Sequence, residues 1–120
     1  MSEQPRRERV TAVLVRGPGR PNGDTRAGLE MEVCLDSRGQ MATAGASNGP
    51  WRLRRFWPDR EDWLGELVAV DDGWGVRAIG GDDEPVWELQ VRLLRPGEYI
   101  TLIRPSDAES VFRIVNVESP

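Results

Sequence analysis

WELQVRLLRPGEYITLI, residues 87–103, is the stretch of sequence that decides the fold. Apolar residues occupy every second position from 87 to 93 and alternate with polar ones, which predicts a strand with one buried face. Pro96 and Gly97 then stand in the order that a type II turn requires. Residues 99–103 are apolar and β-branched, so a second strand is expected to return beside the first.

Similar short apolar runs, separated by glycine- and proline-rich turns, occur along most of the chain. They predict further strands at residues 10–15, 29–36, 40–44, 51–57, 63–70, 74–79 and 111–117. Asp72-Gly73 is a strong hairpin signal because both residue types tolerate a positive φ. Residues 59–62 are predicted as a turn or a single helical turn. The chain therefore contains about eight strands and nearly no helix.

This pattern predicts an all-β protein, specifically a small antiparallel barrel that is SH3-like or partly open. We expect residues 51–118 to form the barrel and the strands of residues 10–44 to extend or cover it. A two-sheet β-sandwich is the alternative, because both architectures bury alternate residues. The 120 residues are enough for one domain. Residues 1–8 are predicted to be a disordered tail, and residues 9–118 a single all-β domain.

The composition excludes several classes of function. The chain has no histidine, which is the commonest general base and metal ligand, and all 16 basic residues are arginine. The net charge is −4, divided into +4 over residues 1–60 and −8 over residues 61–120. An acidic chain makes nucleic acid an unlikely partner, because nucleic-acid binding requires a basic surface.

Other features of the sequence indicate a protein of the cytoplasm that is no enzyme and carries no cofactor. The single cysteine, Cys34, cannot form an internal disulfide. Neither a signal peptide nor a membrane-spanning run of about 20 apolar residues is present, so no membrane partner is expected. Phosphate-binding glycine loops and nucleophile motifs are also missing.

The segment from Trp51 to Trp63 contains the candidate binding residues. In a regular strand, Arg52, Arg54 and Phe56 share one face, with Arg60 and Trp63 just beyond it. Arginine interleaved with aromatic side chains can bind an anionic or flat partner through cation–π contacts and planar hydrogen bonds. We therefore predict a ligand or partner site formed by Arg52, Arg54, Phe56, Arg60 and Trp63. The alternative is a solvated arginine face over buried tryptophans.

Acidic turns provide a weaker candidate for a cation site. Asp82, Asp83 and Glu84 offer oxygen ligands without histidine, a set that suits Ca²⁺ or Mg²⁺. Their spacing is not that of an EF-hand loop, and acidic turns are common at soluble surfaces. We therefore expect no bound metal, and these three residues are only the best candidates.

Three functional hypotheses follow. The first is a non-catalytic binding or protein-interaction module, such as an accessory subunit of a larger assembly, with a protein partner or a second copy of the chain. The second is a small-ligand binder that stacks a carbohydrate-like ligand on exposed tryptophan. The third is an enzyme based on paired carboxylates, which has no motif in its favour.

Overall fold

The computed structural model describes residues 6–41, 51–70, 73–79, 85–106 and 108–119. Eight strands occupy these ranges, and each is antiparallel to its neighbours. In chain order they are β1 (Arg6–Arg16), β2 (Asp24–Leu35), β3 (Trp51–Trp57), β4 (Arg60–Val70), β5 (Gly73–Ala78), β6 (Trp87–Gln90), β7 (Tyr99–Ile103) and β8 (Glu109–Glu118).

The strands form a closed barrel in sequence order, which confirms the predicted small antiparallel barrel. Closure is made by β1 and β8, whose ladder runs from Arg9 opposite Glu118 to Arg16 opposite Val111. The sandwich alternative is therefore wrong. Of the two expectations for residues 10–44, that they extend or that they cover the barrel, the structure shows extension, because β1 and β2 are part of its wall. Pairing β8 with β1 satisfies a sheet edge that would otherwise be exposed.

Two strand boundaries differ from the predicted ones because tertiary contacts override the local pattern. β6 ends at Gln90, after which the chain leaves the ladder and buries Leu94. The Leu94 backbone N–H donates to the Gly39 carbonyl oxygen at 2.7 Å, so this segment packs across the barrel end. β4 already begins at Arg60, so residues 60–62 are extended and the helical turn does not form.

The first two strands are longer than the sequence pattern indicates. β1 begins at Arg6, inside the predicted tail, and β2 begins at Asp24 instead of residue 29. The extension of β1 is polar and that of β2 mostly so, although Ala27 is buried in the core. Cross-strand pairs hold them, for example Arg6 opposite Leu35 and Leu14 opposite Asp24. Of the predicted strand at 40–44, only Gln40 and Met41 lie in the described residues, and Met41 forms an isolated bridge to Leu35.

The core fills the barrel with alternate residues from all eight strands. Side chains from opposite walls meet there, and the largest fully buried ones are Phe112, Leu29, Met31, Leu53, Leu94, Ile100, Leu102 and Ile114. Burying one such side chain contributes about 1.5–3 kcal/mol. The barrel is thus closed by hydrogen bonds and filled by apolar side chains.

No helix in the described residues is long and apolar enough to cross a membrane.

The antiparallel order gives the barrel two different ends. β1, β3, β5 and β7 all run towards one end, which we call the mouth. At the opposite end the connections after β2 and β6 contact each other. The Arg95 guanidinium donates to the Arg38 carbonyl oxygen at 2.8 Å there, beside the bond between Leu94 and Gly39.

Gly28 on β2 is required by the close approach of its neighbours. A Cβ atom at this position would lie 2.1 Å from the carbonyl oxygen of Ala12 and 2.7 Å from the Phe56 ring. Phe56 is opposite Gly28 across the β2–β3 ladder. Its ring therefore covers the glycine on the outer wall, which is a known way to compensate for a missing side chain in a sheet.

We predict that Gly28→Ala destabilises the protein by about 1–3 kcal/mol, because the new methyl group forces backbone atoms apart. Chemical denaturation measures this change. Gly73→Ala is the matched control, since a Cβ at residue 73 meets nothing within 4 Å. A Gly28→Ala variant as stable as the control would contradict the close packing of β1, β2 and Phe56.

Candidate functional site

The mouth of the barrel gathers arginine and tryptophan side chains. Strand pairing places Leu53 and Arg55 directly opposite Gly65 and Trp63, so Arg55 lies on the same face as the buried core residue Leu53. Other side chains join it at this end. Together they form what we call the mouth cluster: Arg20, Arg55, Trp57, Arg60, Trp63, Trp87 and Arg104.

An irregularity in β4 brings Arg60 into this cluster. Between the pairs Arg55–Trp63 and Trp57–Arg60, the register shifts by one residue. The extra residue reverses the alternation of β4, as β-bulges do. Arg60 therefore lies on the same face as Trp57, at the rim of the mouth, and its side chain is exposed.

Gly65 makes room for the aromatic part of the cluster. A Cβ at this position would lie 2.8 Å from the Trp63 ring and 2.5 Å from a Val76 methyl group. The Trp63 ring thus occupies the space over Gly65 and stacks on Trp87, with the ring centroids 4.2 Å apart and the planes at 15°. Such a stacked pair contributes about 0.5–1.5 kcal/mol beyond its buried area.

The arginines of the cluster are held against these indoles. The Arg55 guanidinium carbon lies 5.4 Å from the ring centroids of both Trp57 and Trp87. Arg104 lies 5.0 Å from Trp87, and Arg20 lies 5.7 Å from Trp57. Each distance is short enough for a cation–π interaction, which attracts the cation to the ring without a hydrogen bond.

Arg20 is neutralised by carboxylates of the chain itself. Its guanidinium bonds Asp24 at 2.9 Å and Asp59 at 3.4 Å, which ties the β1–β2 loop to the β3–β4 turn. Hydrogen bonds from Arg26, first from its side chain and then from its backbone, lower the pKa of Asp24. Asp24 is therefore a firmly ionised anchor for Arg20.

Arg55, Arg60 and Arg104 have no such partner in the described residues. No carboxylate there lies within ion-pair distance of any of the three. The Arg55 Nε atom is enclosed and has no hydrogen-bond partner among the residues that the structure describes. Burial and the nearby charges of Arg104 and Arg60 lower the pKa of Arg55 to about 10. Arg55 is thus still charged at neutral pH, in surroundings that disfavour a cation.

The predicted site residues are divided between the two faces of the barrel wall. Arg60 and Trp63 belong to the mouth cluster. Arg52, Arg54 and Phe56 share one face, as the alternation indicates, and that face is the outer wall. The five residues therefore do not form one surface.

On the outer wall, Arg54 is already paired. It bonds Asp62 at 2.9 Å and Glu30 at 3.5 Å, and its guanidinium carbon lies 5.1 Å from the Phe56 ring. The hydrogen bond to Asp62 is the main reason that the pKa of Arg54 is raised. Arg52 is exposed beside a groove of about 430 Å³ whose lining includes Leu64 and Ile79.

The weak metal candidates Asp82, Asp83 and Glu84 lie outside the described residues. Within the described ranges, no group of three or more carboxylate, cysteine or histidine side chains is placed to hold a metal ion. Cys34 is half-buried and is a free thiol.

Sequence reasoning missed Arg20, Arg55, Trp57, Trp87 and Arg104 as parts of one cluster. For Arg55 a signal was present, because alternation places it with Trp51 and Leu53 on the buried face. An arginine at such a position contradicts the pattern of a core strand, and that contradiction marks a functional candidate. Arg20 lies in a loop and carries no comparable signal. For Arg104, the alternation of turns in a meander places residues 104–110 at the same end as residues 58–62, and therefore as Arg60.

No family model matches this chain, and neither a curated protein nor a solved structure shows significant similarity to it.

We predict that Gly65→Ala displaces the Trp63 ring and breaks its stack on Trp87, because the new Cβ needs the space that the ring occupies. The circular-dichroism signal of the coupled indoles should decrease, and stability should fall by about 1–3 kcal/mol. Gly73→Ala should leave both unchanged. An unaltered indole signal in Gly65→Ala would show that Trp63 does not lie over residue 65.

Proposed function

We propose that this protein is a non-catalytic binding module and that the mouth cluster is its binding site for a negatively charged group. That group can be carried by a protein partner or by a small molecule. The observation that supports the proposal is the set of three arginines, Arg55, Arg60 and Arg104, gathered at one end of the barrel without a carboxylate partner in the described residues.

Gathering these cations has a cost that no carboxylate in the described residues offsets. Like charges repel, and the partial burial of Arg55 removes water that would otherwise stabilise it. Where buried charges serve stability, they are paired with opposite charges. A bound anion would supply the missing charge and hydrogen-bond acceptors. The arrangement therefore favours a site that is completed by its ligand.

The indoles hold the arginines in a way that suits such a ligand. A guanidinium that rests on a ring uses its face, whereas its N–H groups point outward in its own plane. Arg55 and Arg104 both lie at cation–π distance from Trp87, and neither makes a side-chain hydrogen bond to a described residue. Within the described part of the chain, nothing accepts from these N–H groups, and an external acceptor could bond them.

The carbohydrate-like alternative has less support. A sugar platform needs an indole with an open face. Trp51 and Trp87 are only 5% and 8% exposed, and Trp63 is stacked on Trp87. Trp74 lies 5.3 Å from Trp51, and Trp57 is covered by Arg20 and Arg55. The indoles therefore serve mainly as packing and as supports for arginine.

The non-catalytic part of the proposal rests on the chemistry of the cluster. Arginine and tryptophan do not exchange protons near neutral pH. The two described carboxylates that contact the cluster, Asp24 and Asp59, are both bound to Arg20. The cluster can therefore bind and orient an anion, but it lacks a general acid or base to act on one.

We predict that at least one of three probes, acetate, sulfate or inorganic phosphate, binds the protein saturably and raises its melting temperature. Titration followed by tryptophan emission tests this, because three of the five indoles belong to the mouth cluster. The double variant Arg55→Gln/Arg104→Gln should lose the response. The control Arg52→Gln, on the outer wall of the same strand, should keep it.

The same titration distinguishes a binding site at the mouth from one on the outer wall. A response lost in Arg52→Gln and kept in the double variant would move the site to the outer wall. If none of the three probes binds, the proposed anion-binding function is wrong.

We further predict that Arg55→Met does not lower the melting temperature in anion-free buffer, while it removes the anion response. Methionine fills similar space without a charge, and replacing a poorly compensated buried charge by an apolar side chain is often neutral or stabilising. A marked loss of stability would show that Arg55 serves the fold, through its contacts with Trp57 and Trp87, and not a ligand.

A further inference from the structure

The mouth cluster concentrates several positive charges on one small volume. Arg55 and Arg104 both lie within 5.4 Å of the Trp87 ring centroid. Arg60 reaches the same rim from β4, and its charge, like that of Arg104, lowers the pKa of Arg55. Three cations thus converge where the described residues supply no anion. The number of charges, and not only their sign, is therefore informative about the ligand.

A ligand with one negative charge would leave this cluster with a large excess of positive charge. A carboxylate or a phosphodiester could neutralise only one of the three guanidinium groups. A tetrahedral dianion neutralises two and offers several oxygen acceptors to groups that approach from different sides. Guanidinium forks also match the oxygen spacing of phosphate, and such charge-assisted pairs are about twice as strong as neutral hydrogen bonds.

We propose that the mouth cluster binds a dianionic phosphoryl group, either as free phosphate or as the terminal phosphate of a small monoester. This inference rests on the proposed function, since it names the anion that the same site takes. Arg55 and Arg104, which both lie beside Trp87, contact the phosphoryl oxygens, and Arg60 approaches from the exposed rim.

The remainder of such a ligand lies outside the cluster. The indole faces at the mouth are already covered by arginine or by each other, so they do not stack a base or a sugar ring. Recognition is therefore directed at the phosphoryl group. A nucleic-acid backbone is disfavoured on two grounds, since each of its phosphates carries one charge and the chain has a net charge of −4.

The acidic groups described around the cluster do not replace the anion. Asp59 and Asp24 both bond Arg20, and Asp62 bonds Arg54 on the outer wall. Glu61 and Glu109 are at the same end of the barrel, and neither forms an ion pair with a described arginine. Arg20 is thereby satisfied and acts as a wall of the site. Arg55, Arg60 and Arg104 are the three that receive the phosphoryl group.

The experiment compares four probes at one ionic strength and pH 7.5: inorganic phosphate, glycerol phosphate, dimethyl phosphate and acetate. Tryptophan emission and calorimetry report binding. We expect the two dianions to bind at least roughly tenfold more tightly than dimethyl phosphate and acetate. Tight binding of inorganic phosphate alone assigns the site to the free ion, whereas binding of glycerol phosphate assigns it to monoesters.

The pH dependence gives a second test of the charge on the ligand. The second pKa of a phosphate monoester is about 6, so only roughly a tenth of it is dianionic at pH 5. The arginines stay charged over this range. We therefore expect the affinity for glycerol phosphate to fall about tenfold between pH 7.5 and pH 5, while that for acetate changes little.

Variants locate the site. Arg104→Gln and Arg60→Gln should each weaken glycerol phosphate binding at least about tenfold, and Arg52→Gln should leave it unchanged. If acetate binds as tightly as the dianions, or if the affinity for glycerol phosphate is the same at both pH values, the phosphoryl assignment is overturned and anion binding remains. If no probe binds, both the assignment and the proposed function fail.

Discussion

The ladder between β1 and β8 is the interaction on which the rest of the structure depends. It joins the first strand to the last, from Arg9 opposite Glu118 to Arg16 opposite Val111. This pairing closes the sheet into a barrel. Closure removes both free edges and defines an inside and an outside for every strand. Because side chains alternate along a strand, each residue's face follows from this single closure.

The inside of the barrel is apolar along most of its length and cationic at the mouth. On β3 this change occurs within one strand, since Trp51 and Leu53 are buried and Arg55 is the next residue on the same face. Among the described residues, Arg55 is surrounded by indoles and by no carboxylate. Gly65 contributes to this indole environment, because its missing side chain leaves the space in which Trp63 stacks on Trp87.

Neighbouring arginines of β3 therefore have different physical roles. Arg54 points outward, bonds Asp62 and Glu30, and covers Phe56, which in turn covers Gly28. It belongs to a network that supports the wall. Arg55 points inward and has indoles but no carboxylate around it in the described residues. A difference of one position along a strand thus separates a structural arginine from a candidate ligand-binding one.

The sequence by itself determined that the protein is an antiparallel β-structure, because alternation and turn residues are local properties. It also showed that Arg52, Arg54 and Phe56 share a face. It did not show that this face is the outer wall, where Arg54 forms ion pairs within the chain. It also did not show that β1 pairs with β8, because the sequence of a strand does not specify which distant strand it will pair with. The end of β6 at Gln90 was set by the distant contact between Leu94 and Gly39.

The mouth cluster was decided only by the tertiary structure. Arg20, Arg55, Trp87 and Arg104 are far apart in the chain, and they meet because antiparallel closure brings alternate strand ends to one side. Arg60 joins them through a shift in register that no residue type announces. Local patterns specify which residues of a strand share a face. The residues that surround a side chain on that face are brought together only when all eight strands have paired.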